Sequence, residues 1–279
     1  MGAGRSGTTL LDIILGNAGD TISLGEINRF FKRGGVPPKR ETTDKKYIFW
    51  KQIREDFEKD YGKAFEYPVL NRIVHANEYH AAFPKALSGM LNETYKLILQ
   101  KQYAVLLRNC SESILIESSK YPLRAYNLMR QLDREEVEIK FVYLKKDPVS
   151  VVQSFRKKNV EQPSKGLLAA NIYYFLVNTL CMIVMRLIKA HKFAGVSLKY
   201  EDLLSDPLSA LTKIENTLGI NMQAPKDLIR DGRELKTGFL FDGNRIRLLK
   251  TLTLRKENSS NNTNFDALFT RVFNYIIYR

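Results

Sequence analysis

The chain opens on Gly2-Ala3-Gly4-Arg5-Ser6-Gly7-Thr8-Thr9, a run suited to holding an anion. Its spacing, Gly2-x-x-x-x-Gly7-Thr8-Thr9, is that of a phosphate-binding loop, but Thr8 stands where such loops carry a lysine. Glycines let backbone N–H groups converge on an oxyanion, and a following helix adds its positive N-terminal end. Arg5 supplies a charge-assisted fork, and Thr8 and Thr9 supply hydroxyls, with Gly4, Ser6 and Gly7 completing the loop. A kinase or nucleotide hydrolase would need the lysine beside the β- and γ-phosphates and a Mg²⁺ site. The sequence shows no carboxylate cluster suited to Mg²⁺ and no metal-ligand spacing among Cys110, Cys181, His75, His80 and His191.

The wording Gly4-Arg5-Ser6-Gly7-Thr8-Thr9-Leu10 is more specific than the spacing. It resembles the 5′-phosphosulfate loop of sulfotransferases that use 3′-phosphoadenosine 5′-phosphosulfate. The likeness is to the branch with arginine in this loop, which includes tyrosylprotein, carbohydrate and bacterial sulfotransferases. Further segments follow in the family's order. The run Lys145 to Ser154 resembles the 3′-phosphate motif, which pairs a cation with a serine eight residues later, here Lys146 and Ser154. The family's cation is usually arginine; lysine keeps the charge without the planar fork. Tyr200, in Tyr200-Glu201-Asp202-Leu203, matches a tyrosine bordering the adenine or 3′-phosphate, although a strand end with a helix cap explains the same residues. Lys120, in Glu117-Ser118-Ser119-Lys120, matches a lysine that reaches the sulfuryl group; its alternative is an exposed loop lysine. Arg245, in Gly243-Asn244-Arg245, matches a late basic loop near the nucleotide.

The resemblance implies sulfuryl transfer from 3′-phosphoadenosine 5′-phosphosulfate to a hydroxyl or amine without a metal. Arg5 and Lys120 would stabilise charge on the bridging and sulfuryl oxygens. The acceptor must lose a proton. Glu26, in Leu24-Gly25-Glu26, is the favoured base, because this branch has a glutamate in the corresponding segment. A surface carboxylate capping the next helix is the alternative role for Glu26, and His75 or His80 is the rival base.

These residues need elements to hold them. Thr8 to Leu15 reads as a helix with Leu10, Leu11, Ile14 and Leu15 on one face, followed by a turn at Asn17 to Asp20 and a strand at Thr21 to Leu24. Short β-rich runs recur at Ser113 to Glu117, Ile139 to Leu144 and Gly195 to Tyr200, each followed by a helical stretch. Alternation of this kind gives βαβ units and a parallel sheet. The expected fold is α/β: a P-loop-type, three-layer arrangement of a central parallel sheet flanked by helices, formed as one domain over 1–279. The strand that usually precedes such a loop is missing before Met1, by truncation or by another strand taking its place. Residues 33–43 read as a loop. Lys45 to Cys110 reads as a helical insertion broken at Gly62, Pro68 and Pro84, with the acceptor-side insertion spanning about 33–110. Asn258 to Asn264 reads as a polar linker and Asp266 to Tyr278 as a last amphipathic helix.

The formal net charge of +14 over 279 residues suits a polyanionic partner, but no basic block or repeat favours nucleic acid. The uncharged run Leu167 to Met185 is long enough to span a membrane. Asn171, Asn178 and Thr179 within it favour a core helix instead, leaving a peripheral membrane contact open. A non-catalytic, membrane-associated nucleotide-binding module is therefore the second rival, beside a P-loop kinase or hydrolase. No signal peptide is evident, which reads as cytoplasmic, or as Golgi lumen should the chain be a fragment. The sequons at Asn92, Asn109, Asn258 and Asn261 read as chance, and two cysteines make no disulfide framework. The acceptor, a small molecule, glycan, lipid or peptide, should meet the aromatic-rich region 30–110. Oligomeric state is not legible.

Overall fold

The computed structural model describes residues 1–62, 66–88, 92–133, 135–157, 164–254 and 264–279. The first βα segment matches its pattern: α1 is Thr8–Leu15 and β1 is Thr21–Gly25, buried along its whole length. The insertion follows as α2 (Lys45–Tyr61), α3 (Tyr67–Glu78), α4 (Phe83–Leu87) and α5 (Glu93–Asn109). Gly62 ends α2, but Pro68 and Pro84 begin helices rather than breaking them. Each lies in a first turn, where the missing N–H costs nothing. Next come β2 (Ile114–Glu117), α6 (Pro122–Gln131), β3 (Phe141–Lys145), α7 (Pro148–Arg156), α8 (Leu167–Ala190), β4 (Gly195–Lys199) and α9 (Tyr200–Ser205). The C-terminal part holds α10 (Pro207–Leu218), α11 (Gln223–Arg230), β5 (Leu235–Lys236), β6 (Thr251–Leu252), α12 (Phe265–Phe273) and α13 (Tyr275–Tyr278). The last helix expected from sequence is thus two, parted at Asn274. The polar linker from Asn258 lies outside the described residues except for Asn264.

The parallel strands form two pairs. β1 runs parallel to β2, from Thr21 opposite Ile114 to Gly25 opposite Glu117. β3 runs parallel to β4, from Phe141 opposite Gly195 to Lys145 opposite Lys199. The place of the strand before the loop is taken by Met1 alone: its N donates to the Val142 carbonyl at 2.7 Å and its carbonyl accepts from Leu144 N at 3.1 Å. β5 and β6 form a separate antiparallel pair. Two-residue strands carry no readable period, and sequence inspection passes over them.

Helices cover both faces of β3, as its alternation requires. Phe141 and Tyr143 enter a core with α6, α7 and α8, whereas Leu144 joins α1, α10, Val196 and Leu198 on the other side. A third core joins Ile22 and Leu24 of β1 to the insertion helices. The apolar run Leu167 to Met185 lies in α8, long enough to cross a membrane, but here it packs its Tyr174, Val177, Cys181 and Val184 into the first core. Asn178, fully buried, accepts from the Tyr143 hydroxyl at 2.8 Å. The polar residues in the run therefore serve the core. Leu168, Ile172 and Leu176 face outward. Cys110 and Cys181 are both free.

Two buried charges fasten these parts. Arg124 of α6 is almost wholly enclosed and pairs with Glu117 at the end of β2 and, at 2.6 Å, with Glu78 of α3. Tyr95 of α5 donates to the same Glu78 at 2.9 Å. The insertion is thereby tied to the strand end that carries the segment Ser118 to Lys120. Asp12 of α1 lies beneath β1, accepting from Ser23 Oγ and, at 3.0 Å, from Gly25 N. Burial pushes its pKa up to about 7, against the opposing pull of these hydrogen bonds. The folded chain then binds this proton more tightly than the unfolded chain, so stability falls as pH rises from about 4 to about 7. Asp12→Asn should remove that slope. Denaturant unfolding across this window should show the wild type losing up to roughly 4 kcal/mol relative to the variant.

Candidate active site

The parallel strands end on one side of the molecule, and each end delivers part of the site. Gly7, with φ of 89°, precedes α1 and accepts from Leu10 N at 2.9 Å and Leu11 N at 3.1 Å. Arg5 also has a left-handed backbone, with φ of 66°. Its side chain crosses to α7, donating to Ser154 Oγ at 3.2 Å and lying 5.1 Å over the Phe155 ring. Gly4 N donates to the Tyr173 hydroxyl at 3.1 Å. Lys146, just beyond β3, lies 3.9 Å over the ring of Tyr200, the first residue of α9. Tyr200 in turn covers Gly7. The loop Gly4 to Thr9, Lys146, Ser154 and Tyr200 are therefore one cluster, assembled from segments far apart in sequence.

Within the loop, Arg5 Nε, Ser6 Oγ and Thr8 Oγ1 are buried without a hydrogen-bond partner. Buried polar atoms are normally paired, and three donors converging on a glycine loop form a set that fits an anion. Thr9 is differently engaged: its Oγ1 accepts from Asn244 N at 3.2 Å. That contact brings in the loop Gly243 to Arg247, but its members divide. Arg245 is exposed, whereas Arg247 is buried, donating to the Gly243 carbonyl at 2.9 Å and pairing with Asp242. Arg247 and Asp242 are structural residues that the sequence reading missed. Two basic residues in one loop gave no sign of which turned inward.

Glu26 leaves the end of β1 and is 2 % exposed. One carboxylate oxygen pairs with Arg29 Nε at 2.9 Å and the other with Lys120 Nζ. The side chain makes no cap hydrogen bond to the short helical turn that follows, so the capping role is not realised. Lys120 is held in place by its own segment: Ser118 N donates to the Gly25 carbonyl at 3.0 Å and Ser119 Oγ accepts from Asn28 N at 3.2 Å. Lys120 is mostly buried, not a free loop lysine. Glu26 N donates to the Asp242 carbonyl at 3.1 Å. Burial pushes the Asp242 carboxyl up, but Arg29, the Gly243 N–H, Arg247 and Arg33 outweigh it and hold the pKa below the usual range.

The histidines lie to one side. His75 stacks on Tyr79 at 4.9 Å, and His80 meets Tyr121 and Tyr173 with ring centroids 5.4 and 6.1 Å away. Burial, reinforced by His75, lowers the His80 pKa. His80 thus approaches the loop through Tyr173. Most aromatics expected to greet an acceptor are instead core: Phe30, Phe31, Trp50 and Tyr95 are enclosed. Among the described residues no group of three His, Cys, Asp or Glu side chains could hold a metal ion.

A family model described as the sulfotransferase family matches residues 1–224. The chain belongs to the sulfotransferase family. No curated protein matches it. Among solved structures, it is similar to the sulfotransferase domain from the curacin biosynthetic pathway at 15 % identity and a TM-score of 0.49, covering 100 % of this chain and 96 % of that one. It is also similar to the sulfotransferase domain from the Synechococcus PCC 7002 olefin synthase, at 18 % identity and a TM-score of 0.45, covering 100 % and 93 %. The α/β architecture and the transferase class agree with the sequence reading.

In this sulfotransferase, Gly7 is the position least able to change. A Cβ there would lie 2.3 Å from the Tyr200 ring, and the backbone is left-handed. Gly7→Ala should cost roughly 1–3 kcal/mol by urea unfolding, and the loss should shrink when combined with Tyr200→Ala.

Proposed function

We propose that the enzyme moves a sulfuryl group from 3′-phosphoadenosine 5′-phosphosulfate to a hydroxyl or amine of a small-molecule, carbohydrate, lipid or peptide acceptor. The observation that carries this reading is the contact of Arg5 with Ser154. It joins a loop suited to a 5′-phosphosulfate with a Lys146–Ser154 pair suited to a 3′-phosphate. A nucleotide phosphorylated at both ends spans the two.

The residues then divide the work. Arg5, Ser6, Thr8 and the backbone N–H groups of the loop hold the 5′ end. Lys146 and Ser154 take the 3′-phosphate, with Tyr200 beside them. Thr9 anchors the late loop, which carries Arg245 near the nucleotide. Glu26 accepts the acceptor's proton. The acceptor oxygen or nitrogen forms its bond to sulfur as the bond from sulfur to the bridging phosphate oxygen breaks, and adenosine 3′,5′-bisphosphate leaves. Arg5 and Lys120 stabilise charge on the bridging and sulfuryl oxygens, so catalysis rests on orientation and electrostatics. Lys120 is paired with Glu26 before the substrates arrive. Its ammonium moving to the sulfuryl oxygens would uncover a carboxylate oxygen for the acceptor proton, coupling donor binding to the readiness of the base.

Adenosine 3′,5′-bisphosphate should raise the thermal midpoint in a titration where ADP does not; equal stabilisation by both would remove the 3′-phosphate from the reading. Glu26→Gln should lower kcat by about 10²–10⁴-fold while affinity for adenosine 3′,5′-bisphosphate is kept. Undiminished turnover would transfer the role of base to another group, with His80→Gln the next variant to assay.

A further inference from the structure

Exposed apolar surface is not spread evenly over the molecule. Of the seventeen large apolar side chains exposed among the described residues, nine lie on α8, α12 and α13. Phe265, Leu268, Val272 and Ile276 are each between 59 % and 80 % exposed. Their successive spacings of three and four residues set them along one helical stripe. At 1.5 Å per residue the stripe runs for about 16 Å, through α12 and into α13. Phe273 meets Phe175 of α8 with ring centroids 5.9 Å apart. Beyond that contact the apolar surface continues onto Leu168, Ile172 and Leu176, the outward face of α8. An exposed patch of this extent on adjoining helices marks an interaction surface.

The helices are held with this stripe outward. On their inner side Asn274, fully buried, donates to Asn171 Oδ1 at 2.7 Å, and Asn171 donates to Thr270 Oγ1 at 3.2 Å. Ile277 enters the core shared by α6, α7 and α8, and Asp266 pairs with Arg156 of α7. Turning the stripe inward would leave the buried amides unpaired, so it stays at the surface. Charge then selects the partner. Residues 167–190 and 264–279 carry four exposed cations, Arg186, Lys189, Arg271 and Arg279. Against them stands one side-chain carboxylate, Asp266, which Arg156 neutralises. Arg279 lies 5.8 Å over the ring of Tyr275, next to Ile276, so a cation borders the stripe directly. A second copy of this chain would set like charges face to face, on molecules of net charge +14. An anionic lipid surface offers hydrocarbon to the stripe and negative charge to the cations.

We propose that α12 and α13, with the outward face of α8, dock on an anionic lipid surface, the stripe lying in the plane of the interface. Phe265, Leu268, Val272 and Ile276 enter the acyl boundary, while Arg271 and Arg279 stay at the level of the head groups, as long cationic side chains do. The inner side of α8 remains in the core, so the contact lies along the lipid surface and does not cross it. The inner side of α13 meets the supports of the candidate site. Lys145 donates to the Ile277 carbonyl at 3.1 Å. Tyr278 donates to Glu201 at 2.7 Å, and Glu201 accepts from Asp147 N at 2.9 Å. Lys145 and Asp147 flank Lys146. Docking would therefore hold the end of β3 about 10 Å, one helix diameter, from the lipid.

The test is co-sedimentation of the protein with vesicles of phosphatidylcholine alone, or of phosphatidylcholine and phosphatidylserine in equal parts. Binding should be about tenfold or more tighter to the anionic vesicles and should weaken as salt is added. Val272→Glu combined with Ile276→Glu should reduce it by about tenfold or more, and Arg271→Gln by about fivefold. These side chains face solvent, so the thermal midpoint should stay near that of the wild type. If the double variant does not fold, Val272→Ser with Ile276→Ser replaces it and must lose binding in the same direction. Leu97→Glu, at an exposed apolar position on α5, should bind as the wild type does. Equal binding by the wild type and all variants would assign the attraction to net charge alone and overturn the proposal, as would no binding by the wild type. A wild-type dimer in sedimentation velocity that Ile276→Glu dissociates would give the face to a second copy, and overturns it too. None of these readouts depends on turnover or on the identity of the donor.

Discussion

Parallel alignment of the strands is the constraint on which the candidate site depends. In an antiparallel arrangement, successive strand ends would point to opposite sides of the molecule. Here β1 leads to Glu26, β2 to Lys120, β3 to Lys146 and β4 to Tyr200; Tyr200 packs on Gly7 with Lys146 over its ring, while Glu26, paired with Lys120, lies with Thr9 beside Gly243. The crossovers needed for this are the insertion α2 to α5 between β1 and β2, α6 between β2 and β3, and α7 with α8 between β3 and β4. Open α/β sheets place ligands at the carboxyl ends of their strands for this reason. The roles proposed for Glu26 and Lys120 rest on their sharing one end of the β1–β2 pair, where the bulge between Ser23 and Gly25 adjusts the register just before Glu26.

Buried ion pairs then convert a layout into a fixed geometry. Arg124 touches groups from α3, α5 and β2 at once: Glu78, Gln102, Tyr103 and Glu117. Removing one partner from such a cluster leaves an uncompensated buried charge, which is far costlier than losing a surface contact. The insertion is consequently not pendant but part of what holds the β2 end, and Lys120 with it. Asp242 does the same from the C-terminal side, joining Arg29, Arg33 and Arg247 beneath the loop that meets Thr9.

Much of this was legible in the sequence, for identifiable reasons. The glycine loop, α1, β1 and the three later strands stood out because short β-rich runs and one amphipathic helix give clear periods. The cluster of Arg5, Lys146, Ser154 and Tyr200 was readable through the order of motifs. What escaped was set by tertiary contact. Nothing local distinguishes Arg124, the most enclosed cation of α6, from the surface Arg130 of the same helix. The aromatics of α2 and α5 have a helical spacing that serves a core or a binding platform equally, and packing against β1 decided for the core. The two-residue pairing of β5 with β6 has no sequence period at all. Met1's bridge to β3 became visible only through main-chain hydrogen bonds.

Arg5 has partners of a particular kind: a hydroxyl on Ser154 and the face of the Phe155 ring. Neither carries a formal charge, whereas Lys120 and Arg29 are matched with a carboxylate. The loop cation is thus oriented by neutral groups, and its field is not cancelled by a bonded counter-ion. On a chain of net charge +14, that field extends into solvent as a long-range attraction for multiply charged anions. Capture at this end of the molecule is then a matter of electrostatic steering, fast in dilute buffer and slower as ionic strength shortens the Debye length.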